Sequence, residues 1–293
     1  MTLSTPVLAV GYIDSGTSPD LIEESFVVQL NSGGGDFSSS SNLHSLATSF
    51  GCADSAGYNR CRVAIGDLNG DGKGDVAVAN YIGLNKLLLQ ASSDGSFSEL
   101  TSSPATVEKS SSAAFEATSQ VALADVNADG HLDLLFVNYQ QNGQKENRLL
   151  TNDGVAGFTE VNMGIGFGGS SNKEAVLGDF DGDGDLDFIG TNLQMGVSHF
   201  ANNGAGSFSS VSGTTIPSAI NSAINGDNIP PIAADVNGDG RLDFLYFKDP
   251  VQVALNSDNG AFIQVQGTVM GGGDLVTLAM AVADLDGDGK LRS

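Results

Sequence analysis

Tryptophan is absent from this 293-residue chain, and cysteine, histidine and the basic residues are scarce: two Cys, three His, and 12 Lys plus Arg. Each shortage narrows what the protein can be. Without Trp, the side chain with the largest stacking face, a sugar-binding platform has to be built from Tyr or Phe. Cys52 and Cys61 cannot form a multi-bridge scaffold, and no second Cys pair or nearby His completes a metal site around them. A disulfide between the two is favoured over free thiols if the protein is secreted. With 35 acidic residues against 12 basic ones, the net charge of −23 repels phosphate backbones and anionic lipid, which argues against nucleic acid as a partner. No apolar run approaches the roughly 20 residues of a membrane span, so direct membrane insertion is not expected. The N-terminal "MTLSTPVLAVGYI" lacks the basic n-region of a signal peptide, so any export signal has been removed or lies outside this chain.

Catalytic signatures are missing as well. The chain has no GxSxG elbow, no HExxH and no phosphate-binding GxxxxGK[ST] loop. His44, His131 and His199 lie in unrelated contexts, and Glu116, Glu146 and Glu174 are scattered singly, with surface placement expected. A non-enzymatic protein is the expectation, with a polysaccharide hydrolase or lyase as the minor alternative.

What the chain does have is an acidic phrase in five copies. "GDLNGDGKGD" (66–75) recurs as "ADVNADGHLD" (124–133), "GDFDGDGDLD" (178–187), "ADVNGDGRLD" (234–243) and "ADLDGDGKLR" (283–292). The first aspartates, Asp67, Asp125, Asp179, Asp235 and Asp284, are 58, 54, 56 and 49 residues apart, so the chain is a tandem array. A second phrase follows each of the first four: "LLLQASSDGSFSEL", "RLLTNDGVAGFTEV", "SHFANNGAGSFSSV" and "QVALNSDNGAFIQV". A further copy of it, "FVVQLNSGGGDFSS", lies near the N-terminus. Each unit reads as four short strands, and Gly interrupts nearly every helical window. Units of this length with four strands are propeller blades, whose sheets must stack on neighbours to bury their faces. A β-sandwich or a string of small modules is the alternative.

The acidic phrase has the chemistry of a hard-cation loop. Side chains at loop positions 1, 3, 5 and 9 alternate around a tight turn, and a main-chain carbonyl at position 7 can complete the ring of oxygens that calcium requires. The expected ligands are Asp67, Asn69, Asp71, Lys73 and Asp75; Asp125, Asn127, Asp129, His131 and Asp133; Asp179, Asp181, Asp183, Asp185 and Asp187; Asp235, Asn237, Asp239, Arg241 and Asp243; and Asp284, Asp286, Asp288 and Lys290. Lys73, His131, Arg241 and Lys290 would serve through their carbonyls. In the fifth loop Arg292 replaces the acid at position 9, which weakens that site. These loops hold 17 of the 35 acidic residues, so the extreme charge is largely a property of about four or five Ca²⁺ sites. Position 12 is Val78, Phe136, Gly190 or Tyr246, which rules out the bidentate acid of an EF-hand.

The repeated DxNxDGxxD loop between two strands resembles the FG-GAP/VCBS repeat family, the calcium-bearing blades of integrin α-like β-propellers. The likeness covers essentially the whole chain and is closer to the VCBS type, because the strand after the loop ends in Asn80, Asn138 or Asn192 in place of a Gly-Ala-Pro phrase. The resemblance implies an all-β propeller, structural calcium, and an extracellular or cell-surface binding role toward a glycan or protein. Extracellular modules bind calcium at roughly 10⁻⁴ to 10⁻³ M, which suits that location.

The N-terminal "PVLAVGYIDSG" aligns with "DVAVANYIG", and the chain stops just after a first strand and its loop. A single domain of five four-stranded blades follows, with a split blade (1–44 plus 270–293) closed by the terminal strands. The continuous blades run over approximately 45–104, 105–163, 164–215 and 216–269. A fragment of a larger ring is the rival. On the rim opposite the acidic loops, Tyr12, Tyr81 and Tyr139, with Asn80, Asn138 and Asn192 beside them, form the expected ligand surface. The competing expectation is that these tyrosines pack against the next blade, and the competing role is a structural segment of a larger surface protein.

Overall fold

The computed structural model describes residues 27–29, 43–45, 61–81, 83–90, 97–106, 117–138, 147–163, 172–192, 196–211, 231–246, 252–257 and 261–265. Among them there is no α-helix, and none long and apolar enough to cross a membrane. A short antiparallel pair, β1 (Val27–Gln29) with β2 (Leu43–Ser45), comes first. Four antiparallel meanders follow. The first holds β3 (Cys61–Gly66), β4 (Asp75–Asn80), β5 (Lys86–Gln90) and β6 (Phe97–Glu99). The second holds β7 (Thr118–Ala124), β8 (Asp133–Asn138), β9 (Arg148–Asn152) and β10 (Phe158–Val161). The third holds β11 (Asn172–Gly178), β12 (Asp187–Asn192), β13 (Gly196–Asn202) and β14 (Phe208–Ser210). The fourth holds β15 (Ile232–Ala234), β16 (Asp243–Tyr246), β17 (Gln252–Ser257) and β18 (Ala261–Val265). The all-β, four-strands-per-unit expectation is met.

The second strands of the first two sheets, "DVAVAN" and "DLLFVN", are nearly continuous in apolar residues and buried throughout, because both of their faces are covered. Successive side chains point to opposite faces. Ala77 and Ala79 of β4 meet Leu134 and Phe136 of β8 in one cluster, while Leu135 and Val137 of β8 meet Phe188 of β12 in the next. Ile189 of β12 then packs with Phe244 and Phe262 of the fourth sheet. The second and third sheets are thus each the filling between two neighbours, as blades require. Fully buried Phe136, Phe188 and Phe244 contribute about 1.5–3 kcal/mol each through removal from water. The fourth strands are short and partly exposed, as outer edges.

This stacking places all four described acidic loops in equivalent positions. In every sheet the loop is closed by one pair of facing residues: Gly66 with Asp75, Ala124 with Asp133, Gly178 with Asp187 and Ala234 with Asp243. The small residue has a packing reason, because a Cβ at Gly66 would collide with Leu132 of the next loop, and one at Gly178 with Leu242. Cys61, at the start of β3, is disulfide-bonded, and Cys52 is the only other cysteine in the chain. Ring closure through 1–44 and 270–293 lies outside the described residues apart from β1 and β2.

Candidate metal centre

Each loop is wound around the carboxylate at position 1. Asp67 Oδ1 accepts N–H bonds from Gly70 (2.7 Å) and Asp71 (3.1 Å), and its Oδ2 accepts from Gly72 (2.7 Å). Asp125 and Asp179 accept from Gly130 and Gly184 in the same way, and Asp235 from Gly240, at 2.8, 3.1 and 2.8 Å. The winding needs a left-handed residue at position 6, supplied by Gly72, Gly130, Gly184 and Gly240 at φ of 79 to 97°. It needs a second at position 4, where Gly70, Gly182 and Gly238 are joined by a strained Ala128 at φ 57°. Sequence reasoning identified the first requirement and missed the second.

At position 3, Asn69, Asn127, Asp181 and Asn237 accept the N–H of position 5. At position 5, Asp71, Asp129, Asp183 and Asp239 accept the N–H of position 7, fixing the peptide that carries Lys73, His131, Asp185 or Arg241. The Lys73 and Arg241 side chains return to Asp71 and Asp239 at 2.7 Å. The Lys73 contact holds the Asp71 carboxyl below the usual carboxylate range. His131 is exposed, with its ring over Gly154.

Position 9 behaves differently from the rest. Asp75, Asp133, Asp187 and Asp243 are 0 or 1% exposed. In each, Oδ2 accepts the N–H of position 2: Leu68 (2.9 Å), Val126 (3.0 Å), Phe180 (3.0 Å) and Val236 (2.9 Å). Each Oδ1 accepts an N–H at the end of the third strand: Gln90 (2.8 Å), Asn152 (2.8 Å), Asn202 (3.0 Å) and Asn256 (2.9 Å). These residues are therefore structural hubs as well as candidate ligands. Burial pushes the carboxyls of Asp75, Asp133 and Asp243 up, only partly countered by those N–H bonds. Burial acts on Asp187 too, but the nearby His199 ring and the Asn202 and Phe180 amides outweigh it and hold Asp187 low. His199, itself 2% exposed, has its Nε2 3.6 Å from Asp187 Oδ2.

These donors fit a hard cation. All are oxygens, and a carboxylate has about four lone-pair directions, of which the amides occupy only some. In the third loop Asp179, Asp181 and Asp187 each bring one oxygen within 4.8 Å of the others, the only such group among the described residues. Although Asp181 is exposed, partial loss of water around its carboxyl, followed by repulsion from Asp187, Asp183 and Asp179, raises it. A divalent ion is the natural relief for that crowding. The fifth loop, Asp284, Asp286, Asp288 and Lys290, lies outside the described residues.

The rim opposite the loops departs from expectation. Asn80 and Asn138 are each 1% exposed and serve the fold. Asn138 Oδ1 accepts the Thr118 hydroxyl at 2.8 Å, and the Asn80 N–H donates to Asn85 Oδ1 at 2.9 Å. Asn85 Nδ2 in turn donates to the same Thr118 hydroxyl at 3.0 Å, tying the first sheet to the second. These two asparagines therefore offer no surface to a ligand, because the backbone leaving a fully covered strand needs polar partners inside the protein. Asn192 ends β12, Tyr81 is half-buried, and Tyr12 and Tyr139 lie outside the described residues. Glu174, expected at the surface, is 2% exposed, with Oε1 3.5 Å from the Arg62 guanidinium.

Sequence reasoning missed one set of functional residues entirely. Asn152, Asn202 and Asn256 donate through Nδ2 to the position-2 carbonyl of the preceding blade's loop: Leu68 (2.9 Å), Val126 (2.7 Å) and Phe180 (2.7 Å). The signal was present as the Asn recurring in "LLTND", "HFANN" and "VALNS".

Comparison with known proteins agrees with this geometry. The profile of the FG-GAP-like repeat matches residues 67–136, 125–190, 179–246 and 235–291. Among solved structures, an Agrocybe aegerita lectin that specifically recognises non-reducing terminal N-acetylglucosamine superposes with a TM-score of 0.51 at 22% identity, a likeness of fold. The match covers 83% of this chain and 60% of that one, so this chain spans about 60% of the lectin's length. The V. cholerae biofilm matrix protein Bap1 gives a TM-score of 0.39 at 23% identity over 79% of this chain and 33% of that one. No curated protein sequence matches.

Proposed function

Because the chain belongs to the FG-GAP-like repeat family, we propose that it is a calcium-stabilised, non-enzymatic binding module that works outside the cell, in adhesion or in recognition of a glycan or protein. The observation that carries the calcium reading is the convergence of Asp179, Asp181 and Asp187 in a loop already wound by its own amides. Bound calcium would supply the positive charge that offsets repulsion among these carboxylates. Asp179, Asp181, Asp183 and Asp187, with the main chain of Asp185, would hold it in the third loop, and their counterparts would do so in the others.

Three further features support the reading. The donor set is oxygen only, which favours calcium over softer metals. A disulfide at Cys61 suits an oxidising compartment. The propeller-like fold is shared with a lectin, which makes recognition through a rim a reasonable role for this one. The non-enzymatic reading rests on the acids: the clustered ones are committed to their loops, and Glu174 is buried beside Arg62. With Asn80 and Asn138 internal, Tyr81 and Asn192 are what remains of the expected ligand rim among the described residues.

The test is thermal unfolding across a calcium titration, with magnesium as control and bound ions counted by native mass spectrometry. A rise of many degrees with four or five ions bound is expected. An unchanged melting temperature and no bound ions would refute the calcium reading. A glycan and matrix-protein array in calcium then tests recognition. Binding that weakens in Tyr81→Ala is the expected result, and silence across the array would favour a purely structural segment.

A further inference from the structure

The hydrogen bonds that hold the individual loops also join them to one another. From Asp75, Oδ2 accepts the Leu68 N–H at 2.9 Å, and the Leu68 carbonyl accepts Asn152 Nδ2 at 2.9 Å. The Asn152 N–H donates to Asp133 Oδ1 at 2.8 Å, and Asp133 Oδ2 accepts the Val126 N–H at 3.0 Å. The Val126 carbonyl accepts Asn202 Nδ2 (2.7 Å), and the Asn202 N–H donates to Asp187 Oδ1 (3.0 Å). Asp187 Oδ2 accepts the Phe180 N–H (3.0 Å), and the Phe180 carbonyl accepts Asn256 Nδ2 (2.7 Å). The Asn256 N–H closes the line on Asp243 Oδ1 at 2.9 Å. One unbroken belt thus runs through four loops, and all its members are buried.

Resting on the calcium reading above, we propose that Asn152, Asn202 and Asn256 couple the metal sites of adjacent blades, so that calcium in one loop raises the affinity of the loops on either side. The position-9 carboxylate is the shared element. Fixing it on a metal fixes the third-strand Asn, whose side chain orders the position-2 residue of the preceding loop and, through that residue's N–H, the preceding position-9 carboxylate. A site whose neighbour is filled has less conformational freedom left to lose. Linkage requires the effect to run equally in both directions. The coupling skips no blade: the first loop feels the third only through the second.

The test disables the third loop with Asp181→Ala and Asp183→Ala, two exposed residues whose side chains lie outside the belt. Calcium is then titrated at physiological salt, which screens the lost charge. Each remaining loop is followed by NMR through the amide of its position-6 glycine, Gly72, Gly130 or Gly240. Affinity should fall about fivefold or more at Gly130 and Gly240, and less at Gly72. Adding Asn202→Leu should abolish the loss at Gly130 and leave that at Gly240, which runs through Asn256. Unchanged affinities, or an equal fall at all three glycines, would overturn the coupling. If Asn202→Leu fails to fold, the double variant alone still separates these outcomes. A wild-type chain in which no glycine amide responds to calcium would overturn the calcium reading, and the coupling with it.

Discussion

Replacing Asp133 separates the structural work of a loop acid from its metal work. Its two oxygens accept buried N–H groups from Val126 and Asn152 at 3.0 and 2.8 Å. Asp133→Ala orphans both donors, at about 1–3 kcal/mol each. Burial, which holds this carboxyl above its usual range, makes the ionised group costly to keep and offsets part of the loss. A net cost of about 2–4 kcal/mol in chelator follows, or roughly 5–15 °C in melting temperature at 2–4 °C per kcal/mol. In calcium the loss should grow by the linked stabilisation of one site, about 2.7 kcal/mol at a hundredfold excess over the dissociation constant. Asp129, exposed at position 5, is the control. Its side chain accepts only from the loop neighbours Asn127 Nδ2 and the His131 N–H, so Asp129→Ala should cost little in chelator and show its effect in calcium. Urea or thermal unfolding of both variants, with and without calcium, provides the four numbers. Equal losses for the two variants in chelator would refute the hub role of position 9.

Ala128→Gly should stabilise the protein by up to about 1 kcal/mol, because relief of the left-handed strain at φ 57° exceeds the added entropy of the unfolded chain; a lower urea midpoint would contradict this. In chelator, Asp75, Asp133 and Asp243 are easier to protonate in the fold than in the unfolded chain. Their contribution is therefore present below the ordinary value of 3.8 and lost as pH rises through the higher folded values. Asp187, held low, contributes above 3.8, and that contribution is lost as pH falls through its folded value. Carboxyl carbon shifts recorded by NMR in chelator should accordingly place Asp133 above and Asp187 below 3.8. Cys61→Ser should cost about 2–4 kcal/mol in the unfolding midpoint under non-reducing conditions, and nothing once the parent is reduced.

The parts of this protein legible in its sequence are those fixed by local chemistry. A cation loop needs oxygens at alternate positions and a left-handed residue at position 6, so "DLNGDGKGD" declares itself without any neighbour. The same holds for β4, β8 and β12, whose apolar runs announce sheets covered on both faces. The inter-blade asparagines were hidden because their partners are carbonyls of hydrophobic residues in a different repeat. Nothing around Asn202 in sequence points to Val126, and only the repetition of Asn at one register hints at a task. Asn80 and Asn138 misled for the opposite reason: a polar residue at a strand end reads as exposed until the adjacent sheet is seen to cover it. Glu174 follows the same logic, since the Arg62 that accompanies it lies two sheets away.

Hydrophobic contacts between sheets are non-directional, and on their own they would let one blade slide on the next. Register between blades therefore has to come from directional bonds; single ties such as Asn85 Nδ2 to Thr118 contribute, and the belt repeats one such bond from blade to blade at the rim where every loop begins with an acid. That placement loads the rim with carboxylates that are buried at position 9 and crowded in the third loop. In chelator at neutral pH the repulsion acts on the same residues that set the register, while the clusters around Phe136, Phe188 and Phe244 are untouched. The calcium-free protein should accordingly keep its sheets and lose order first along the belt. Hydrogen exchange would show this as early deprotection of the Leu68, Val126 and Phe180 amides, ahead of those within β4, β8 and β12. Uniform deprotection of strands and belt together would mean that the apolar stacking, too, depends on the metal.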